Sequence, residues 1–194
     1  MTLPPLPLGF LAATPRTQAE FRTALGSFLA EGHSRFTSKS ANWFFTPQGA
    51  AWSPAGHIRH LSRASRPLVT ALNLPRLLLR LRFGRPRGPS EGYEHIRSRY
   101  LDVLDAGATA GRFAPSPEPL PADPEARRAE ILAEWSRTTV DLVNASGRWP
   151  EASLDRYQLP HPLLGMLTVH DMLDFTLYHT AHHLRRILER DAHA

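Results

Sequence analysis

The chain has 194 residues, of which 42% are apolar and 21% charged, a composition that suits a folded protein rather than a disordered one. Its net charge is +5, and it has no cysteine, which excludes disulfide bonds, cysteine-ligated metals and a protein thiol nucleophile. No apolar run approaches the roughly 20 residues that cross a bilayer, and the N-terminal MTLPPLPLGF lacks the basic start of a signal peptide. We therefore expect one soluble, cytoplasmic domain over 1–194, with its core at about 17–190.

Capping signals mark two helices in the first half of the chain. The segment Thr17–Glu20 has the spacing of a capping box, and apolar residues at helical spacing follow it to about Gly32. Ser53 followed by Pro54 is a strong helix start. Pro75 breaks the second helix. The pattern thus predicts two amphipathic helices, separated by a polar stretch that contains several aromatic residues.

The second half of the chain is organised around a proline-rich segment. Helical periodicity predicts a short extension over 77–83, a helix from Ser90 to about Ala106 and a long helix from Pro124 to about Ala145. Residues 114–124 contain five prolines, which exclude helix and strand and predict a tether across the surface. The segment 146–167 is predicted to be a loop.

A further capping signal, Thr168–Asp171, predicts a last helix that runs to about Arg190. No segment alternates convincingly at a period of two, so no strand is predicted. Four long helices with long connections favour an all-α fold, namely a four-helix bundle with one additional short helix at 90–106.

Basic residues are concentrated in one part of the chain. Between Gly32 and Ser90 there are ten basic residues and no acidic one. Such a stretch can bind nucleic acid or an anionic surface, or it can be a solvated face that pairs with acids elsewhere. Because arginine outnumbers lysine 22 to 1 over the whole chain, the bias is general, and the solvated face is the favoured interpretation.

Two histidines on the last helix have the spacing of metal ligands. His179 and His183 are four residues apart, so both imidazoles project from one face, as in helices that offer two nitrogens to one ion. They lie beside the apolar stripe and should face the interior, where an unpaired imidazole costs free energy. The second helix offers His57 or His60 as a third ligand, and spacing does not decide between them. His161, in a Pro-His-Pro loop, could also approach.

Three segments carry a family resemblance. They are the helix start Trp52-Ser53-Pro54-Ala55 that leads to His60-Leu61, the segment 155–165 before a Thr-led last helix, and the final stretch 178–184, YHTAHHL. In this order and spacing they resemble the DinB-like superfamily of YfiT-type, metal-dependent four-helix proteins, over about residues 17–190. The resemblance implies one divalent metal, Zn²⁺ or Ni²⁺, bound by His60, His179 and His183. The family pattern has an aliphatic residue at position 57.

The resemblance also implies an activity. Members of the superfamily include transferases that attach bacillithiol, mycothiol or glutathione to an electrophile, and three imidazoles leave an open position on the metal. We therefore expect a thiol-dependent S-transferase in detoxification or stress response. Its expected partners are a small-molecule thiol and an electrophilic substrate, without a specific nucleic acid or a membrane, and the family implies a homodimer. Arg59 and Arg63, which flank His60, could hold the carboxylates of a thiol.

Two alternatives remain open at this point. The first is a metal-binding stress protein without catalysis, which a sealed three-histidine site would favour. The second is a binder of nucleic acid or anionic surfaces through residues 59–87. That alternative needs exposed arginines on one face with few acidic neighbours. An open metal position beside a pocket would favour the enzyme.

Overall fold

The computed structural model describes residues 17–47, 49 and 51–189. The N-terminal segment 1–16, where no signal peptide is expected, and Arg190, the predicted end of the last helix, lie outside the described residues. The helices are α1 (Gln18–Ser38), α2 (Ala41–Phe45), α3 (Pro54–Asn73), α4 (Arg76–Phe83), α5 (Tyr93–Asp105), α6 (Pro124–Gly147) and α7 (Val169–Glu189). Two 3₁₀ helices, Gly111–Phe113 and Glu151–Arg156, and two strands, β1 (Gln158–His161) and β2 (Gly165–Thr168), complete these elements. None of the helices in these ranges is long and apolar enough to span a membrane.

The four long helices α1, α3, α6 and α7 form the bundle. Helix α6 packs against α1 and α3, and α7 packs against the same two helices. The shorter α5 packs against α7, and α2 lies against α3 and α6. The four-helix bundle predicted from the sequence is confirmed. The described chain adds three shorter helices to it, where the sequence predicted one with a possible extension.

Side-chain caps begin the helices where the sequence predicts them. Thr17 forms both bonds of the capping box with Glu20. The Ser53 hydroxyl accepts the Gly56 N–H at 3.2 Å, with Pro54 in the first turn. The Thr168 hydroxyl accepts the Asp171 N–H at 2.9 Å. Each cap satisfies a backbone donor that the helix leaves unpaired, which places the starts of α1, α3 and α7.

Helix α1 ends at Ser38, beyond the predicted end near Gly32. Gly32 lies inside the helix, and the indole of Trp135 packs against it. A Cβ atom at position 32 would lie 2.7 Å from Cη2 of Trp135. The glycine is therefore a packing position, and the prediction that it ends the helix is wrong.

The predicted loop 146–167 contains an antiparallel hairpin that the sequence did not reveal. Leu159 of β1 pairs with Leu167 of β2, and both side chains are buried. Each strand has only four residues and β1 contains Pro160, so no alternation long enough to detect exists. The hairpin lies against α4 and α7, and residues of β1 line a cavity that both helices also border.

Candidate metal centre

Three imidazoles from α3 and α7 converge inside the bundle. Nε2 of His179 lies 3.0 Å from Nε2 of His60 and 3.1 Å from Nε2 of His183. One nitrogen from each ring falls within 4.8 Å of the other two, and all three side chains are buried. The structure thus brings together the three residues that the resemblance selects.

Helix packing produces this arrangement. The Ser53 cap and Pro54 begin α3, so that His60 lies two turns inside it, and the Thr168 cap begins α7. The one-turn spacing of His179 and His183 presents both rings to α3, which packs directly against α7. The third nitrogen therefore comes from a facing helix, as is common for sites in bundle cores.

Hydrogen bonds at the other ring nitrogens orient two of the imidazoles. Nδ1 of His60 lies 2.9 Å from the carbonyl oxygen of Phe113. A carbonyl only accepts, so Nδ1 carries the proton and Nε2 has the lone pair. Nδ1 of His183 lies 2.8 Å from Nδ1 of His57. When Nε2 of His183 is a ligand, its Nδ1–H donates to His57, which takes the place of the carboxylate, carbonyl or water that usually accepts this proton.

The structure separates the two histidines of α3 that the sequence left open. His60 belongs to the cluster of three nitrogens, whereas His57 contacts the far side of the His183 ring. His161 lines the same cavity as the cluster without joining it. Its Nδ1 accepts the backbone N–H groups of Leu163 and Leu164 at 3.2 and 3.1 Å.

The electrostatic environment keeps the cluster neutral. Burial lowers the pKa of His60, His179 and His183, and neighbouring histidines lower the pKa of the last two further. Neutral imidazoles retain the lone pairs that a metal ion requires. This is also the only group of three or more possible ligands found among the described histidines and acids. Three lone pairs that meet without an acid fit a divalent ion of the zinc type.

The cluster forms part of the wall of a cavity of about 790 Å³. Aromatic rings flank the imidazoles: Trp52 stacks on His183 with ring centroids 6.0 Å apart, and Phe175 stacks on His179 at 5.1 Å. Most other lining residues are apolar. Arg82 and Arg112 line the cavity too, and no carboxylate does so in the part of the chain described. The histidine cluster is therefore open on one side to an apolar space with positively charged groups.

Sequence reasoning missed most of this cavity. Tyr100 of α5 lies against His179 at 5.9 Å between ring centroids, and burial raises its pKa to about 12, so its hydroxyl keeps the proton. Burial lowers the pKa of His161 to about 4. In the sequence, Tyr100 and Phe175 have the spacing of ordinary core residues. No signal marks them as cavity residues before the helices are placed.

Arg59 and Arg63 have a different role from the one expected. Arg59 is ion-paired with Glu118 at 2.6 Å, and Arg63 donates to the carbonyl of Ala114 at 2.7 Å. Both contacts hold the proline-rich tether against α3, and neither arginine lines the cavity. The arginines that do line it are Arg82 of α4 and Arg112 of a 3₁₀ turn.

Fold and site together define a four-helix bundle with a three-imidazole cluster open to an apolar cavity. The family model of the DinB superfamily matches residues 16–187, and the chain belongs to this superfamily. A search of curated proteins finds no match.

Three solved structures share the fold. TT2238, described as a four-helix bundle protein, is 17% identical with a TM-score of 0.55, over 89% of this chain and 99% of that chain. The colibactin self-resistance protein ClbS, solved in complex with double-stranded DNA, is 16% identical with a TM-score of 0.56, over 91% and 96%. YfiT from Bacillus subtilis, described as a probable metal-dependent hydrolase with an unusual four-helix bundle topology, is 16% identical with a TM-score of 0.50, over 89% and 84%. At these identities the likeness shows the fold alone.

The ClbS complex corrects one expectation. The resemblance led us to expect no specific nucleic-acid partner, and that expectation is wrong because a protein of the same fold has been solved bound to double-stranded DNA. Affinity for DNA depends largely on cationic side chains at the surface. Buried helix packing does not determine those side chains, so the fold cannot exclude nucleic acid as a partner class.

Proposed function

We propose that this protein is a metal-dependent S-transferase that joins a low-molecular-weight thiol to an apolar electrophile. The observation that carries the proposal is the position of His60, His179 and His183 in the wall of the cavity. A structural metal site is closed by four protein ligands, whereas three ligands beside a cavity leave a position for an exchangeable molecule. The cavity therefore favours an enzyme over a metal-binding protein without catalysis.

In this proposal His60, His179 and His183 hold one divalent ion. The bound ion would lower the pKa of a thiol at its open position, so that the thiolate forms at neutral pH. The Phe113 carbonyl and His57 keep the Nε2 lone pairs of His60 and His183 directed at the cluster. These outer contacts reduce the ring motion that would otherwise weaken binding.

The remaining cavity residues would bind and orient the two substrates. Apolar walls, including Trp52 and Phe175, exclude water and bury the carbon skeleton of the electrophile. Arg82 and Arg112 can pair with an anionic group on either substrate. The chain has no cysteine, so the sulfur must come from the cosubstrate. A carbon–sulfur bond forms as the leaving group departs from the electrophilic carbon.

The test pairs metal content with turnover. The purified protein is loaded with Zn²⁺ or Ni²⁺, its metal content is measured by mass spectrometry, and conjugation of glutathione, bacillithiol or mycothiol to a reactive aromatic halide is followed. We expect His179→Ala and His183→Ala to lose both the metal and the conjugation. His170→Ala, on the same helix but outside the cluster, should retain both.

Each of the other outcomes indicates a different function. Full metal occupancy without conjugation of any thiol would support a metal-binding stress protein. Cleavage of an ester without a thiol would indicate that water is the nucleophile and the activity hydrolytic. Turnover that survives complete removal of the metal would overturn the proposal.

A further inference from the structure

The turn before α4 and α4 itself expose a stripe of leucines. Leu77, Leu78 and Leu81 are 66, 51 and 73% exposed, and their spacing places them on one face of α4. Leu74, in the turn before the helix, is 40% exposed and extends the apolar surface toward the cavity, which it also lines. Leu79, on the other face, is buried and packs into the core. Single exposed leucines are common, but four close together on one short segment are typical of an interaction surface.

Five arginines lie in and directly after α4, namely Arg76, Arg80, Arg82, Arg85 and Arg87. Within the described ranges, none of them is ion-paired with a carboxylate, although Arg59 and Arg66 in the preceding helix pair with Glu118 and Glu134. Arg80 lies over the ring of Tyr157 at 4.9 Å and donates to the carbonyl of Arg156 at 3.3 Å, and Arg82 lines the cavity. The exposed arginines that remain beside the leucines are therefore Arg76, Arg85 and Arg87. Two of the three arginines of α3 are thus paired with carboxylates, whereas among the described residues no carboxylate pairs with the exposed Arg76, Arg85 and Arg87.

We propose that α4 and its flanking residues bind an anionic lipid surface. An amphipathic helix with leucines on one face and arginines around them lies in the membrane interface, where the leucines enter the acyl boundary and the guanidinium groups bind lipid phosphates. The segment 74–89 contains arginines and no acidic residue, so its charge is complementary to that of lipid phosphates.

Two other occupants fit the surface less well. A second copy would place the same exposed arginines opposite one another across a two-fold axis, and like charges that face each other oppose association. Duplex DNA would pair with the arginines, but its phosphate backbone would leave the four leucines without an apolar environment. Only a lipid surface satisfies both kinds of side chain.

The location of α4 gives this binding a consequence for the cavity. Leu79, Arg82 and Phe83 of the same helix line the cavity that contains the histidine cluster. A membrane in contact with α4 would therefore lie beside the cavity wall. Lipid binding itself does not depend on the proposed chemistry, and each can be tested without the other.

The test is co-sedimentation of the full-length protein with vesicles. Vesicles made of phosphatidylcholine and phosphatidylglycerol in equal parts are compared with vesicles of phosphatidylcholine alone. The variant Leu77→Glu/Leu81→Glu tests the stripe. The control Leu120→Glu/Val140→Glu alters two residues that are 57 and 48% exposed elsewhere and changes the net charge equally. Because all four side chains are exposed, all these variants should fold.

We expect binding to the anionic vesicles only, and a loss of about tenfold or more for the stripe variant, since burial of each leucine contributes strongly. The control should bind as the unaltered protein does. Arg85→Gln and Arg87→Gln should each weaken binding by about fivefold, and added salt should weaken it further.

Three results would overturn the proposal. The stripe variant and the control could bind the vesicles equally. Analytical ultracentrifugation could reveal a dimer that only the stripe variant dissociates, which would mean that a second copy covers the leucines. A DNA duplex could bind through Arg85 and Arg87 while the anionic vesicles do not bind at all.

Discussion

The interface between α1 and α6 and the interface between α3 and α7 belong to one bundle but have opposite chemistry. Between α1 and α6, Phe36 packs on Trp135 with ring centroids 6.1 Å apart, and Gly32 lets the indole approach the backbone. Between α3 and α7, buried imidazole nitrogens meet at 3.0 and 3.1 Å. The first interface contributes apolar burial, whereas the second holds polar atoms that cost free energy unless something satisfies them.

This difference separates stability from chemistry within one core. Apolar burial at α1 and α6 can offset the cost of a histidine cluster at α3 and α7, and none of Gly32, Phe36 and Trp135 lines the cavity of that cluster. Changes in distant, independent regions usually have additive effects on free energy. Substitutions at the apolar interface should therefore lower the free energy of unfolding and leave the metal affinity unchanged. Substitutions around the cluster should lower the metal affinity and leave the free energy of unfolding of the metal-free protein nearly unchanged.

The largest expected effect is that of Trp135→Ala. It removes a large buried side chain from the apolar interface, and the free energy of unfolding should fall by about 3–5 kcal/mol. Urea unfolding measures this loss, with Val140→Ala, an exposed position on the same helix, as a control that should change it by less than about 0.5 kcal/mol. The Zn²⁺ affinity of folded Trp135→Ala should match that of the unaltered protein. A parallel fall in Zn²⁺ affinity would contradict the separation.

A smaller effect is expected at His57, which lies at the interface between α3 and α7. His57→Leu removes the acceptor for Nδ1–H of His183, and loss of such an outer contact typically weakens metal affinity by about 10–100-fold. His57→Gln, whose amide oxygen can accept the same proton, should restore part of the affinity. Competition with a chelator measures both variants.

The control for this prediction is His33→Leu, which removes an exposed histidine from α1. It should not change the metal affinity. If His57→Leu and His57→Gln weaken binding equally, the role of His57 is packing against Trp52 and His183 rather than orientation of the His183 ring.

How much the sequence predicts differs between the same two interfaces. Caps at Thr17, Ser53 and Thr168 are local, since each involves atoms within three residues, and they placed three helix starts correctly. At the end of α1, Arg128 of α6 donates to the carbonyls of Phe36 and Lys39, 92 and 89 residues away in the chain. The packing of Trp135 on Gly32 is similarly distant in sequence, and so Gly32 was misread as a terminator. The hairpin at 158–168 was not predicted because its strands of four residues are too short to show an alternating pattern.

The candidate site also has features that are local to one helix and features that depend on how the helices pack. The spacing of His179 and His183 is a property of one helix and is visible in the sequence. The choice between His57 and His60 depends on which face of α3 meets α7, which only the packed bundle, or a resemblance to proteins that share it, can supply. The cavity is assembled from residues on α3, α4, α5, α7 and the hairpin, and no local pattern encodes that assembly.

The smallest expected effect compares two glycines of α1. Gly26 is exposed and has open space around its Cα, so Gly26→Ala should stabilise the protein by about 1 kcal/mol through the higher helix propensity of alanine. Gly32→Ala has the same propensity gain, but its Cβ would lie 2.7 Å from Cη2 and 3.2 Å from Cζ3 of Trp135. Overpacking in a core costs about 1–3 kcal/mol, so this substitution should destabilise by about 1 kcal/mol on balance.

The opposite signs test whether the indole of Trp135 packs tightly against Gly32 of α1. Urea unfolding of both variants gives the two signs directly. In the double variant Gly32→Ala/Trp135→Phe the ring is smaller, and the alanine should cost less than it does beside the indole, since neighbouring substitutions are not additive. If Gly26→Ala and Gly32→Ala stabilise equally, the indole moves aside without cost in free energy, and α1 and α6 are not tightly packed at Gly32.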